Sequence, residues 1–466
     1  MLFVLHECYE GLEFKYVFSL VYVNVLCYTN IIFIMEVIFM ADIKAFKGMR
    51  FNVDKAGDID KLCCPPYDII SEEERLGFIA DNENNIIRLE LPKGDTPYED
   101  AASILKDWED KGILIREDAP AIYVYEEEFT AYGKSGAVKG IIVRLKVEEF
   151  EKGIVLPHEF TLSKAKEDRL NLMKATNCNF SQIYGLYMDE EHTSLSTIDK
   201  VSEGTPDVEF TDKGGVTHRL WTIKDEEVIA KLVADFKERK IYIADGHHRY
   251  ETALNYRNYC RENGISKEGD AADFQMIYLV DMEHPGLVVF PTHRLVRDLP
   301  EFDSDEVLCK CSKYFDIEAY TSTDNMEAEL EAEDKEGKKA FGFYVGEGEW
   351  YKLTLKDISV MDELLPDMSA VSRSLDVTVL HTLVLEKIFG IDKENMAAQI
   401  NLTYTKFFEE AISFVDEGKA QCSFVLNPTK VKEIRDVASQ GEKMPQKSTY
   451  FYPKMITGLV MNKLED

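Results

Sequence analysis

Residues 240–256 read Lys-Ile-Tyr-Ile-Ala-Asp-Gly-His-His-Arg-Tyr-Glu-Thr-Ala-Leu-Asn-Tyr, and the change of character at Asp245-Gly246 decides the fold class. The run before Asp245 is short and apolar, as a buried strand requires. From His247 the text reads as a helix that stops at Gly264. Outward from this junction, residues 226–239 form an amphipathic pattern with Ile229, Leu232, Val233 and Phe236 on one side. Residues 274–281 (FQMIYLVD) and 287–296 (LVVFPTHRLV) read as two more strands. Strands alternating with helices predict an α/β (α+β) chain built on a mixed or parallel sheet.

The junction also carries chemistry. The first amides of a helix have no partner inside it, and the helix dipole adds partial positive charge there. Gly246 permits a tight turn and close approach of a ligand to backbone. Arg249 offers a planar, permanently charged fork suited to phosphate oxygens, with His247 and His248 beside it. Together these residues predict a phosphate-type anion site. Two plainer readings stand beside it. Asp245 would cap the helix and pair with Arg249, or His247 and His248 would bind a metal, although adjacent helical residues do not share a face.

Three further segments supply candidates. In LPHEFT (156–161), Pro157-His158-Glu159 follows a strand and a turn, so Glu159 is placed to take a proton from a hydroxyl or to help hold Mg²⁺. Downstream, Lys164, Lys166, Asp168 and Arg169 crowd what reads as a charged helix start. Near the end, MPQKSTYFYPK (444–454) gathers Lys447, Ser448, Thr449 and Lys454 in a Pro-bounded stretch, without the glycines of a Walker A loop. His293 and Arg294 would add positive charge from a neighbouring strand end.

Length and composition bound these readings. A chain of 466 residues predicts two or three domains. We divide it into an N-terminal α/β region (40–140), a core carrying the junction (141–300) and a C-terminal α/β region (301–466). In the first, NNIIRLELPKG (84–94) reads as a strand, residues 95–112 as a helix with Ala101, Ile104, Leu105 and Trp108 on one face, and 121–150 as a hairpin. In the last, residues 375–390 read as one helix ending at Gly390, and 422–429 as a strand. With 54 basic against 86 acidic residues, the net charge of −32 argues against a nucleic-acid grip. Cys63-Cys64 and Cys309/Cys311 lack zinc-site spacing, and the nine cysteines fit a reducing cytoplasm.

Residues 17–40 are mostly apolar, with only Glu36 charged, and long enough to span a bilayer. Glu7, Glu10 and Glu13 precede this run, which fits a signal peptide poorly. The text turns soluble directly after Met40, so the expectation is that residues 1–39 are a misassigned start, with a membrane anchor as the alternative and no membrane role for 40–466.

The segments CPPYDII (64–70), RLELP (88–92), LPHEFT, DGHHRYETAL (245–254), PTHRLV (291–296) and MPQKSTYFYPK occur together in this order. In this the chain resembles the bacterial family catalogued as domain of unknown function 1015, over about residues 41–466. That resemblance implies a ParB/sulfiredoxin-like core. Sulfiredoxins are similar at the junction but carry Gly-Cys-His-Arg, so His247 stands where their nucleophile would be, which argues against sulfinic-acid repair. ParB-type proteins bind CTP and clamp DNA, a role that this acidic chain without a helix-turn-helix does not suit. Free serine kinases of that superfamily are similar in pairing Pro-His-Glu with a later Asp-Gly-His-His-Arg. The resemblance then implies Glu159 as base, His158, Asp245 and His248 as further catalytic groups, and Gly246, His247 and Arg249 as the phosphate loop. From residue type alone, His293, Arg294, Lys447, Ser448, Thr449 and Lys454 would join the nucleotide site. The implied activity is transfer of a phosphoryl group from ATP or ADP, with Mg²⁺, to a small hydroxyl substrate such as free L-serine. A non-catalytic switch or adaptor binding CTP or ATP is the alternative.

Overall fold

The computed structural model describes residues 41–131, 133–161 and 163–465, without the side chains of 163–165. The leader, the expected start at Met40 and the side chain of Lys164 lie outside the described residues. Among the described residues, no helix is long and apolar enough to cross a membrane.

The chain is α/β, as expected, with a nine-stranded mixed sheet at its centre. The junction strand, Ile241–Asp245, runs parallel to Val155–Leu156 on one side and antiparallel to Ile183–Tyr187 on the other. Next comes Phe274–Asp281, parallel to Ile183–Tyr187, then the hairpin Ile122–Ala131 and Lys134–Lys146. Every residue of Phe274–Asp281 is buried, which explains why it reads as a near-continuous apolar run. One face of the sheet packs beneath helices Glu226–Phe236 and His247–Glu262 through Leu232, Phe236, Tyr250 and Leu254. The other face receives the chain's closing segment through Met444, Phe451, Met455 and Leu459. Burying Phe451 alone contributes about 2 kcal/mol.

A second sheet, six-stranded and antiparallel, occupies the C-terminal part and is built from His293–Val296, Phe315–Tyr320, Ala340–Gly346, Glu349–Leu355, Leu402–Thr405 and Cys422–Val425. Its first strand in the chain begins at His293. The central sheet takes strands from both sides of residue 140, so that boundary does not separate two layers. After residue 450 the chain returns to the first body: Tyr450–Tyr452 pairs with Val288–Phe290, and Asn462–Lys463 with Cys178–Asn179.

Three local expectations are corrected. Residues 84–94 do not form a strand but contain the short helix Ile87–Glu90. The buried Asn85 side chain accepts from Ile87 N at 2.9 Å and donates to Lys61 O and Cys63 O, which closes a helical turn in place of a ladder. The run 287–296 is two strands in two sheets, broken at Pro291, which has no amide hydrogen to continue a ladder. The helix expected over 375–390 is α-helical only over Asp376–Val379, then widens to a π-helix over Leu380–Phe389 before Gly390 ends it.

Candidate functional site

The ladder between Ile241–Asp245 and Ile183–Tyr187 slips between Ile243 and Asp245. Such an irregularity at a strand end re-aims the side chain beyond it. Asp245 Oδ1 accepts from Gly246 N at 2.9 Å, and its Oδ2 accepts from Lys454 Nζ at 3.0 Å. Gly246, not Asp245, is the helix N-cap, with φ +92°. A β-carbon there would sit 2.9 Å from Arg249 Nε and 3.1 Å from Cζ, so only glycine fits both the dihedral and the neighbour. The guanidinium it admits donates to Gln182 O and lies 3.9 Å from Asp245 Oδ2. Burial opposes the charge of Asp245, but Lys454 and Arg249 outweigh it and hold the carboxyl well below its ordinary range.

Glu159 reaches this loop from the turn after Val155–Leu156, and its Oε1 accepts from Lys447 N at 3.0 Å. Burial raises its pKa, with Asp245 adding to the rise and the Lys447 amide and charge opposing it. Lys447 is a non-glycine residue at φ +57°, held at both ends of its backbone: the amide by Glu159, the carbonyl by Arg294 at 3.1 Å.

His158 is sealed from solvent. A carbonyl only accepts, so His158 Nδ1–H donates to Ile243 O at 2.7 Å, which leaves Nε2 to accept from Thr449 Oγ1 at 3.1 Å. Burial lowers its pKa to about 4. Its backbone amide donates to His247 Nε2 at 3.2 Å, and burial keeps His247 neutral as well. The two rings meet edge to face with centroids 4.7 Å apart.

Of the residues singled out by sequence, Glu159, Asp245, Gly246, His247, His248 and Arg249 line one cleft of about 590 Å³. Lys447, Thr449 and Lys454 line it too. That volume is in the range of small-molecule sites. His158, Ser448, His293 and Arg294 do not line it. His158 has both ring nitrogens committed to Ile243 and Thr449. Ser448 Oγ donates to Pro445 O at 2.6 Å. His293 Nδ1 accepts from Leu426 N at 3.2 Å, and burial lowers its pKa to about 3. Arg294 is fully buried, donating to Thr292 O, His381 Nε2 and Lys447 O. Lys166 and Arg169 are likewise occupied elsewhere, Lys166 with Glu251 at 2.5 Å and Arg169 with Asp168 at 2.6 Å.

No sequence pattern pointed to the far wall of the cleft. Strand Leu402–Thr405 supplies Thr403, Tyr404 and Thr405 to it, and the turn and helix beyond the strand add Lys406 and Glu410. Tyr67 and Asp68, inside the CPPYDII motif, form a lip. Their motif was visible but suggested no role. Nothing in residues 399–410 marks them, because hydroxyls, a lysine and a glutamate at ordinary spacing acquire meaning only across the cleft.

Among the described residues, no three His, Cys, Asp or Glu side chains are grouped to cage a metal ion. Mg²⁺ needs less, since one or two carboxylates with phosphate oxygens and water suffice. Asp245 and Glu159, both on this cleft, meet that requirement.

The family model described as Protein of unknown function (DUF1015) matches residues 43–378. The chain belongs to this family. The match ends before the far wall and before the closing segment 444–454. No curated protein matches the chain. Solved structures similar to it include a conserved hypothetical protein from Pyrococcus furiosus, at 14% identity and TM-score 0.32, covering 67% of this chain and 93% of that one. Another is a free serine kinase in complex with AMP, at 13% identity and TM-score 0.33, covering 67% and 89%. A third is SbnI with a C-terminal truncation from Staphylococcus aureus, at 12% identity and TM-score 0.32, covering 68% and 85%.

Proposed function

We propose that the protein is a phosphotransferase that moves the terminal phosphoryl group of ATP or ADP to a small hydroxyl compound, with free L-serine, giving O-phosphoserine, as the leading acceptor. One observation carries the reading. A carboxylate with a raised pKa, Glu159, opens on the same cleft as a glycine-led helix start flanked by Arg249 and Lys454. Phosphoryl transfer needs little else from a protein than positioning and charge.

In this reading the donor phosphates rest on the amides after Gly246, with Arg249 and Lys454 beside them. The acceptor O–H gives its proton to the Glu159 carboxylate as its oxygen bonds to the terminal phosphorus. The bond from that phosphorus to the bridging oxygen breaks, and its electron pair leaves with the nucleotide, as ADP from ATP or AMP from ADP. Lys447, through its amide, fixes the Glu159 carboxylate in place. His158 is a positioning residue that ties Thr449 to the junction strand. Mg²⁺, held by Asp245, would neutralise phosphate charge when bound. Serine, Mg²⁺ and a cytoplasmic location rest on the motif resemblance and on residue chemistry.

The full chain incubated with Mg²⁺, ATP or ADP and a panel of small alcohols is expected to give a phosphate ester, read by phosphorus NMR. Glu159→Gln is expected to lower turnover by about 10²- to 10⁴-fold while sparing nucleotide affinity. Turnover that survives the substitution removes Glu159 as the base. Nucleotide binding with no product from any hydroxyl supports the non-catalytic switch instead.

A further inference from the structure

Three lysines line the cleft, and of these only Lys454 has a carboxylate within 4 Å among the described residues. Lys454 pairs with Asp245. Lys406, just after strand Leu402–Thr405, has no carboxylate within 4 Å among the described residues. Its Nζ donates to Tyr450 Oη at 2.5 Å and lies 4.1 Å from that ring's centroid. Lys454 Nζ lies 4.6 Å from the same centroid, so one ring serves both cations. Burial and the neighbouring Lys454 bring the Lys406 pKa down to about 8, against the pull of Glu410.

A second uncompensated cation lies behind the same wall. Arg294 is fully buried, has no carboxylate within 4 Å among the described residues, and sits 5.5 Å from the Tyr404 ring. Burying a guanidinium without a counter-ion is costly. The cleft lining balances Asp68, Glu159, Asp245 and Glu410 against Arg249, Lys406, Lys447 and Lys454, so the buried Arg294 behind the wall is left as an excess positive charge beside a lysine that no carboxylate contacts. An outside anion in the cleft would cancel it. Hydroxyls of Thr403 and Tyr404 stand on the same wall. The Glu410 carboxylate is tied back by Thr405 Oγ1.

We infer that this wall, centred on Lys406, is a second anion subsite that holds the acceptor by a carboxylate or phosphate of its own, apart from the nucleotide phosphates on the Gly246 loop. The inference rests on the phosphotransfer reading for the word acceptor, but the anion subsite can be tested without turnover.

The test is calorimetric titration of the full chain with ADP, glycerate, glycerol 3-phosphate and glycerol, in the wild type, Lys406→Met and Lys406→Arg. ADP affinity is expected to stay within threefold in all three proteins. Glycerate or glycerol 3-phosphate is expected to bind the wild type at least tenfold more tightly than glycerol, and the better of the two identifies the anion. That advantage is expected to vanish in Lys406→Met and to return in Lys406→Arg. Equal binding of all three small probes, or an advantage that survives Lys406→Met, overturns the inference. A tenfold loss of ADP affinity in Lys406→Met also overturns it, since Lys406 would then belong to the nucleotide. Failure of the wild type to bind ADP defeats the phosphotransfer reading instead, and the small-probe titrations still decide the anion subsite.

Discussion

The two walls of the cleft handle charge in opposite ways. On the wall built from the central sheet, the charged and titratable groups have internal partners. Asp245 holds Lys454, Arg249 donates to Gln182 O, Glu159 accepts from Lys447 N, and His158 is neutral with both ring nitrogens used. On the wall built from the C-terminal sheet, Lys406 leans on an aromatic hydroxyl, and Arg294 behind it donates to neutral acceptors alone. A site whose groups are tied in this way is rigid before anything binds, which suits electrostatic stabilisation of a reacting group. A wall with uncancelled charge is completed by what it binds. The difference teaches that the two sheets meet the cleft with differently partnered cations, with the closing segment 444–454 stitched between them, and under the proposed function this divides chemistry from recognition.

The contrast breaks most directly at Asp245. Asp245→Ala removes the partner of Lys454 and the nearest carboxylate to Arg249, leaving two cations facing each other across an empty position. Breaking a buried pair from one side costs about 3–5 kcal/mol, and the carboxylate is 20% exposed, so a loss of about 3 kcal/mol is expected in urea unfolding. A loss under about 1 kcal/mol would mean that this wall is not held by its ion pairs.

Legibility in the sequence divides along the same line. The first wall is contiguous in the chain: strand, Asp245, Gly246, then two histidines and an arginine on one turn, so local rules sufficed. Glu159 is legible locally as a carboxylate at a strand end, but its link to the junction comes only from motif order, since its neighbour relation to Asp245 depends on Val155–Leu156 lying parallel to Ile241–Asp245. The second wall depends on a strand pairing across more than a hundred residues, Leu402–Thr405 against His293–Val296, which no local pattern announces. His293-Arg294, at a neighbouring strand end, reads as positive charge for the cleft. Pro291 instead diverts the chain into the other sheet, and the arginine is buried behind Tyr404. The strand expected over 84–94 failed for a local reason, the Asn85 side chain offering Ile87 a turn in place of a ladder.

Acid is a second, graded lever behind the same wall. His158 is neutral in the fold with a pKa near 4, against about 6.5 in an unfolded chain. Its contribution is complete above pH 6.5 and is lost as pH falls from 6.5 toward 4, at about 1.4 kcal/mol per unit. Wild type should therefore lose its stability advantage over His158→Gln at that slope below pH 6.5. Curves that stay parallel from pH 8 to 5 would show that the fold does not hold His158 neutral.

The smallest expected change sharpens the comparison most, because its sign is reversed. At pH 7 Lys406 carries a charge that its surroundings disfavour, as its lowered pKa of about 8 records. Lys406→Met keeps most of the apolar stem and removes the ammonium, at the expense of its contact with Tyr450. Because the side chain is only half-buried, solvent screening shrinks the gain, and the variant should match wild type or exceed it by up to about 1 kcal/mol. Above pH 8 the wild type should close that gap, since Lys406 then sheds its proton in the folded state before it would in the unfolded one. A loss of more than about 1 kcal/mol at pH 7 would make Lys406 a structural group like Asp245, and the two walls would no longer differ in kind.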